Sequence, residues 1–445
     1  MFIDFLLDVF RETPENDAVV WQDRAFSYGD LLQRIEDCRG VIGEQDVRQG
    51  SVVALKADFS PAAVAWFLAL LERGCVVVPL TSSVEAMREQ FIEIARGEVS
   101  IGIDARDRPA VEHLGRSASH DLYRRLRSRG HPGMVLFSSG STGEPKAALH
   151  DFVPLLEKFK VRRHQLRAIS FLLYDHIGGI NTMLYVLSNS GCMVTVADRS
   201  PDAVLGACQR HRVELLPTTP TFLNLILISE AYKRYDLSAL QTITYGTEPM
   251  QQSTLQRIHD VLPHVRVVQT YGLSEVGILR SKSKGSDSLW VKIGGEGFQT
   301  RVVDGILHVK AASAMLGYLN APSPFDDDGW LNTGDRVDVE GEYLRFRGRE
   351  SEVINVGGEK VFPAEVESAI LEMDDVADAT VHGEKHPIIG QIVCARVTLK
   401  PDREEKGFAA KLKKFCGQRL QRYKVPVKVE VVKQFQHGDR FKRMR

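Results

Sequence analysis

The stretch from Phe137 to Lys146 concentrates groups that can hold an anion: Ser138, Ser139, Ser141 and Thr142 interleaved with Gly140 and Gly143, then Lys146. Glycines let a backbone turn with its N–H groups facing inward, which makes a concave anion site. The hydroxyls add donors, and a lysine at the rim supplies a point charge suited to phosphate. The chemistry is that of a polyphosphate cradle. It is not the G-x-x-x-x-G-K-[ST] loop of kinases and GTPases. Gly140 and Gly143 stand too close together, Pro145 separates Gly143 from Lys146, and Ala147 occupies the magnesium-binding Ser/Thr position.

Three further groups suit the same kind of ligand. Tyr271 offers a flat ring on which a purine could stack, worth about 1 kcal/mol. Glu275 is a carboxylate, the oxygen ligand that a magnesium ion requires. Asp335, between Gly334 and Arg336, can accept two hydrogen bonds from a ribose diol through its two oxygens. A turn aspartate is by itself more often structural, so the combination and order of these residues carry the reading.

The elements that must position them alternate in type. Leu31, Leu32, Ile35, Cys38, Val41 and Ile42 fall at helical spacing, and Ser60-Pro61 starts a helix that runs to about Arg73 and stops at Gly74. A strand at Cys75–Val78, a helix at about Glu85–Ala95 and a strand at Val99–Ile103 follow, whereas Arg106–Arg129 reads as a polar surface connection. Met134–Phe137 then leads as a strand into the phosphate loop. Further strands are expected at Ile169–Leu173, Val213–Leu216, Thr242–Tyr245 and Val265–Gln269, with helices from Pro201 and Pro220. Such alternation predicts a layered α/β domain with mostly parallel sheets. Ligands gather beyond the carboxyl ends of parallel strands. The phosphate loop, Gly246-Thr247-Glu248-Pro249 and Tyr271-Gly272-Leu273-Ser274-Glu275 all fall at such ends, so one cleft is expected to serve all three. After Gly294 short strands with tight turns suggest a small barrel-like β part, and beyond Gly348-Arg349 a small mobile α+β domain follows. The expected division is 1–348, a hinge at 349–351, and 352–445.

Composition sets bounds. With 445 residues, 43% hydrophobic and 26% charged, the chain can bury large cores in more than one domain. It has no apolar run of the ~18 residues needed to span a bilayer, and its first residues are acidic where a secretory signal would be basic. Six scattered cysteines without a C-x-x-C pair fit reduced thiols, so a cytoplasmic protein without stable membrane insertion is expected. Basic residues crowd the segment from Lys411 to Arg445, where only Glu430 and Asp439 are acidic. That excess reads either as a solvated face or as a surface for an acidic partner; no nucleic-acid reader motif accompanies it.

Together, Ser138–Lys146, Tyr271–Glu275, Thr333-Gly334-Asp335, Gly348-Arg349, Gly357-Gly358 and Pro363-Ala-Glu-Val-Glu367 resemble the core motifs of the adenylate-forming enzymes. That superfamily includes acyl-CoA synthetases, adenylation domains of peptide synthetases, and luciferases. The resemblance covers nearly the whole chain. It implies an ATP-dependent carboxylic acid:thiol ligase that makes an acyl-adenylate and pyrophosphate, then passes the acyl group of a small carboxylic acid to coenzyme A. The alternatives are loading the phosphopantetheine of an acidic acyl carrier protein, or a nucleotide-binding protein without chemistry. The resemblance assigns the loop Ser138–Gly143 with Lys146 to the β- and γ-phosphates of ATP, Gly246–Pro249 and Tyr271 to the adenine slot, Gly272 to nucleotide binding, Ser274 to the neighbourhood of the phosphates, Glu275 to Mg2+, and Asp335 and Arg349 to the ribose, with Gly246 also at the acyl pocket. It brings Gly357 and Gly358 to the thiol after the small domain rotates. Lys442 matches the adenylation lysine, although Phe441 replaces the usual glycine and Arg440 and Arg443 are close alternatives; Ser351 stands where the hinge often has Asp or Lys. His176, followed by Gly179, resembles the residue that borders the acyl pocket, while Asp175 resembles the carboxylate that holds an amino group in amino-acid-activating members. His176 as an ordinary core residue remains the third option.

Overall fold

Local signals translate directly into elements. In the computed structural model, which describes residues 2–139, 144–401 and 403–433, the helix Tyr28–Glu44 begins with a reciprocal cap between Ser27 and Asp30. The helix Pro61–Arg73 is capped by Ser60 and ends at Gly74, whose φ of 79° suits glycine. No described helix is long and apolar enough to cross a membrane. All six cysteines are unpaired and buried.

The chain divides into two compact units. The first comprises Met1–Pro217, Gly272–Ile278 and Lys310–Gly329. Its larger sheet runs Gly317–Tyr318, Pro145–Asp151, Gly133–Ser139, Val76–Leu80, Val52–Lys56, Val99–Ile103, Pro109–His113 from edge to edge. The central pairs are parallel, for example Val53 with Val77 and with Val99, and antiparallel strands close both sides. A second sheet sets Asp17–Trp21, Cys192–Val194 and Arg167–Ile169 in parallel. The helix Pro61–Arg73 is buried from Pro61 to Leu71 and shares one apolar cluster with side chains of both sheets, among them Val53, Val77, Val19 and Met193. Such all-round burial is what a near-continuous apolar helix requires. The opposite face of the larger sheet is covered by Phe91, Ile92, Tyr123 and Leu126.

The second unit comprises Thr218–Tyr271, Leu279–Val309 and Trp330–Arg445. Thr242–Tyr245 and Arg266–Gln269 pair in parallel, so the chain leaves both strands at the same edge. An antiparallel sheet contains Val291–Gly294, Tyr343–Arg349, Leu331–Glu340 and Ile306–Ala311 in that order. The C-terminal part packs the helices Pro363–Leu371 and Phe408–Gly417 on a sheet whose longest strands are Val376–His386 and Gly390–Leu399. Asn224, buried on the helix Pro220–Ser229, donates from Nδ2 to the Ala377 carbonyl at 3.0 Å.

Three local expectations need correction. The supposed surface connection Arg106–Arg129 contains the edge strand Pro109–His113 and the helix Asp121–Arg129. That helix buries only Tyr123 and Leu126, too thin an apolar stripe to stand out among its arginines. The expected helix Glu85–Ala95 is a 3-10 segment, Ser82–Met87, followed by the helix Arg88–Ile94, with non-helical φ at Val84. The strand expected at Ile169–Leu173 ends at Ile169.

Candidate active site

In the first unit, the strands flanking the phosphate loop are antiparallel, and Ser138 stands opposite Lys146. Gly140, Ser141, Thr142 and Gly143 lie outside the described residues, as do Lys442, Arg440 and Arg443. The base of the loop is clamped by Asn320, whose Oδ1 accepts from Ala147 N at 2.9 Å and whose Nδ2 donates to Pro145 O at 2.8 Å. Tyr318 stands beside Lys146 and Glu275 alike. Its hydroxyl donates to Glu275 Oε1 at 2.6 Å, and the ammonium of Lys146 lies 5.5 Å from its ring centre, within cation–π range. The Glu275 carbonyl also accepts from Met315 N at 2.8 Å. Glu275 Oε2 has no hydrogen bond among the described residues. A half-buried carboxylate oriented by a phenol, with one oxygen open, is a donor set that fits magnesium. Tyr318 and Asn320 were not legible as site residues; a Gly-Tyr-Leu-Asn run has no spacing that marks it.

Gly272 packs closely against its surroundings. A Cβ on Gly272 would lie 2.8 Å from the Gly277 carbonyl. His150, fully buried on the strand Pro145–Asp151, lies near the Ser274 backbone, yet neither ring nitrogen makes a well-formed hydrogen bond among the described residues. Burial holds its imidazole neutral, down to about 4.

His176 is the N-cap of the helix Ile177–Leu187, its Nδ1 accepting from Gly178 N at 3.2 Å. That bond requires the tautomer with the proton on Nε2. Asp175 is buried and accepts from the Thr81 hydroxyl at 2.8 Å. Gly179 is fixed by crowding, since an added Cβ would lie 2.0 Å from the Leu173 carbonyl oxygen.

In the second unit, Gly246–Pro249 and Tyr271 follow the carboxyl ends of the paired strands Thr242–Tyr245 and Arg266–Gln269. Gly246 packs so tightly that a Cβ would meet Thr270 Oγ1 at 2.7 Å and Thr270 O at 2.8 Å. Thr247 has a φ of 73°, a costly conformation for a β-branched residue. Glu248 accepts from Thr221 N at 2.8 Å, at the start of the helix Pro220–Ser229. Tyr271 donates its hydroxyl to Asp335 Oδ2 at 2.7 Å, and Arg349 Nε reaches Asp335 Oδ1 at 3.3 Å. Asp335 and Arg349 face each other across adjacent strands. The ring of Tyr271 stacks on Phe346, with centroids 4.6 Å apart, so one face is already covered. Burial, with the Asp335 charge adding to it, keeps this phenol well above its usual range.

Gly357 and Gly358 form the turn between Ile354–Val356 and Glu359–Val361, at φ of 62° and 92°. Open space surrounds both, so the backbone conformation and not crowding demands glycine. Gly357 N donates to Ile389 O at 2.8 Å, and Gly358 N to Asn355 Oδ1 at 2.9 Å. After Arg349, Glu350 is held by Arg336 and by Lys360, the latter at 3.2 Å.

In the first unit a carboxylate, a lysine and a phenol hydroxyl stand together at the base of the loop, and in the second unit the buried Asp335 pairs with the exposed Arg349. The chain belongs to the AMP-binding enzyme family: the family model matches residues 7–93 and 95–319, and that of the AMP-binding enzyme C-terminal domain matches 365–442. It is a ligase. It is 26% identical to an indoleacetate–CoA ligase of Aromatoleum aromaticum over 470 residues, covering 94% of this chain and 91% of that protein. A long-chain-fatty-acid–CoA ligase, FadD13, of Mycobacterium tuberculosis is 23% identical, covering 92% and 89%. Among solved structures, the anthranilate CoA ligase AuaEII in complex with anthranoyl-AMP superposes with a TM-score of 0.81 at 18% identity, covering 98% of this chain and 95% of that one. ATP-bound MatB from Rhodopseudomonas palustris gives 0.79 at 21%, covering 99% and 97%. At these identities the structural likeness establishes the shared fold: a large α/β N-terminal region and a small C-terminal one.

Proposed function

We propose that this chain is an ATP-dependent carboxylic acid:thiol ligase that forms an acyl-adenylate and pyrophosphate, then transfers the acyl group to coenzyme A. The observation that carries this reading is Tyr318, whose hydroxyl orients Glu275 while its ring stands beside Lys146 at the base of the anion loop. The named relatives, which are CoA ligases, support the acceptor and the carboxylic acid class. A carrier-protein acceptor has less support. Within the basic C-terminal segment, Lys411, Arg419, Lys424 and Lys428 are matched by Asp375, Glu372, Glu365 and Glu384.

In this reading a substrate carboxylate must approach the α-phosphorus of a polyanion, so positive charge and alignment are the protein's task. Lys146 and the loop hydroxyls hold the outer phosphates. Glu275 would hold magnesium through its open oxygen; the ion, when bound, neutralises phosphate charge and aligns the displacement. Asp335 accepts from the ribose hydroxyls, kept in place by Tyr271 and Arg349. A purine stacked on Tyr271 would have to take the face opposite Phe346. His176 and Asp175 would border the acid, with the His176 ring held in place by its Nδ1 cap on the helix Ile177–Leu187. The domains divide as 1–348 and 352–445 about a hinge at 349–351, and Lys442 on the smaller one serves adenylation. The unpaired thiols fit a cytoplasmic setting.

The test is AMP and pyrophosphate release from ATP with a panel of acids, including indoleacetate, anthranilate and long-chain fatty acids, with and without coenzyme A. Acid-dependent pyrophosphate, and thioester only with coenzyme A, is the expected result. Protein that binds ATP yet releases no pyrophosphate with any acid overturns the reading. Acyl transfer to a carrier protein and not to coenzyme A overturns the acceptor.

A further inference from the structure

The long strands Val376–His386 and Gly390–Leu399 carry a second set of ligand-type side chains, in the C-terminal part and on none of the motifs above. Successive residues of a strand face opposite sides of the sheet. Ala379, Val381, Val393, Ala395 and Val397 point into the C-terminal core, so His382, Glu384 and Cys394 share the other face. In the antiparallel register His382 stands directly opposite Cys394, and Glu384 is the next residue along on the same face. One nitrogen, one carboxylate oxygen and the sulfur all lie within 4.8 Å of one another. His382 Nε2 is 3.7 Å from Glu384 Oε1. Ligands of a tetrahedral zinc ion at ordinary bond lengths are about 3.5 Å apart, so side-chain adjustment alone closes the set.

We propose that His382, Glu384 and Cys394 form a site for a borderline-soft divalent metal of the zinc class, with three protein ligands and a fourth position open to water. The donor set favours zinc over magnesium, which takes oxygen ligands and avoids sulfur. Glu384 can serve without losing its ion pair, because Lys428 engages Oε2 while Oε1 faces His382. The site has an entry side: Cys394 is 2% exposed, while the His382 and Glu384 side chains are 25% and 39% exposed. Burial, reinforced by Glu384, raises the free thiol to about 11, so the metal must displace a proton from Cys394 to solvent on binding. No oxidant or reductant is involved. Bound metal would tie two strands whose connecting turn supports Gly357 through the Ile389 carbonyl.

The inference does not depend on the ligase reading, and its test needs no substrate. The full chain is titrated with Co2+ alone, without nucleotide, and watched for thiolate-to-cobalt charge-transfer absorption. The expected result is a saturable band that Zn2+ abolishes by competition. Cys394→Ser should remove it, Cys416→Ser should keep it, and His382→Gln or Glu384→Gln should weaken binding about tenfold or more. Absence of the band in the unaltered protein overturns the proposal without any variant. So does a band that survives Cys394→Ser, or an affinity unchanged in both His382→Gln and Glu384→Gln.

Discussion

At the scale of single residues, Tyr318 is the group whose loss tells most. If its hydroxyl orients the magnesium-binding carboxylate, Tyr318→Phe should leave the fold intact and raise the Mg2+ concentration for half-maximal ATP–pyrophosphate exchange by about tenfold. Glu275→Gln should lower the exchange rate itself by orders of magnitude, because the phosphate charge then lacks its partner in the transition state. Exchange that responds to magnesium identically in Tyr318→Phe and the parent would remove Tyr318 from the site. His150 makes the stability depend on pH. In the folded chain burial holds its imidazole down to about 4, against about 6.5 when unfolded. The unfolded chain therefore binds the extra proton between those values, and stability is fully present above about 6.5 and falls as the pH drops towards 4. His150→Gln should flatten the denaturation midpoint across that window; an equally steep profile in the variant would assign the acid sensitivity elsewhere.

At the scale of elements, legibility followed the strength of local punctuation. Pro61–Arg73 could be read because serine, proline and glycine mark its ends. The helix Asp121–Arg129 was hidden because Leu126 and Tyr123 alone anchor it among arginines, and charge dominates its sequence. The motif residues Glu275, Asp335 and Arg349 were legible by type and order. Their supports were not, because Tyr318, Asn320 and Phe346 act from distant parts of the chain through contacts that no spacing encodes. The glycine of His176-Ile177-Gly178-Gly179 shows the converse, a recognisable residue whose reason emerges only in three dimensions. With the Leu173 carbonyl 2.0 Å from where a Cβ would sit, Gly179→Ala must push the helix Ile177–Leu187 off its preceding loop. We expect a loss of about 3 kcal/mol and a lowered melting temperature, whereas Gly43→Ala, in open space, should be nearly neutral or slightly stabilising. Equal melting temperatures for the two variants would show that the loop yields freely.

At the scale of the whole molecule, the proposed function requires one chain to serve two half-reactions. A small domain that turns between them presents different residues to the reacting groups in each. Lys442→Ala should therefore slow adenylate formation strongly while thiolysis of a supplied acyl-adenylate proceeds near the normal rate, and Gly358→Leu should do the reverse. Timing the two steps separately decides it: equal damage to both in Lys442→Ala would leave the lysine a purely structural part, and normal adenylation would move the role to Arg440 or Arg443. Following the motion itself needs a reporter, and here the cysteines bear on the experiment. Each is at most 6% exposed, and burial raises every thiol to about 11 or 12. Maleimides attack thiolates that they can reach, so the native chain should be nearly inert to them. A cysteine placed at Ile388, which is 85% exposed, would take a dye or spin label almost alone. The unaltered protein thus arrives as its own cysteine-silent background, and distances across a turnover could be recorded without first stripping six residues from its core.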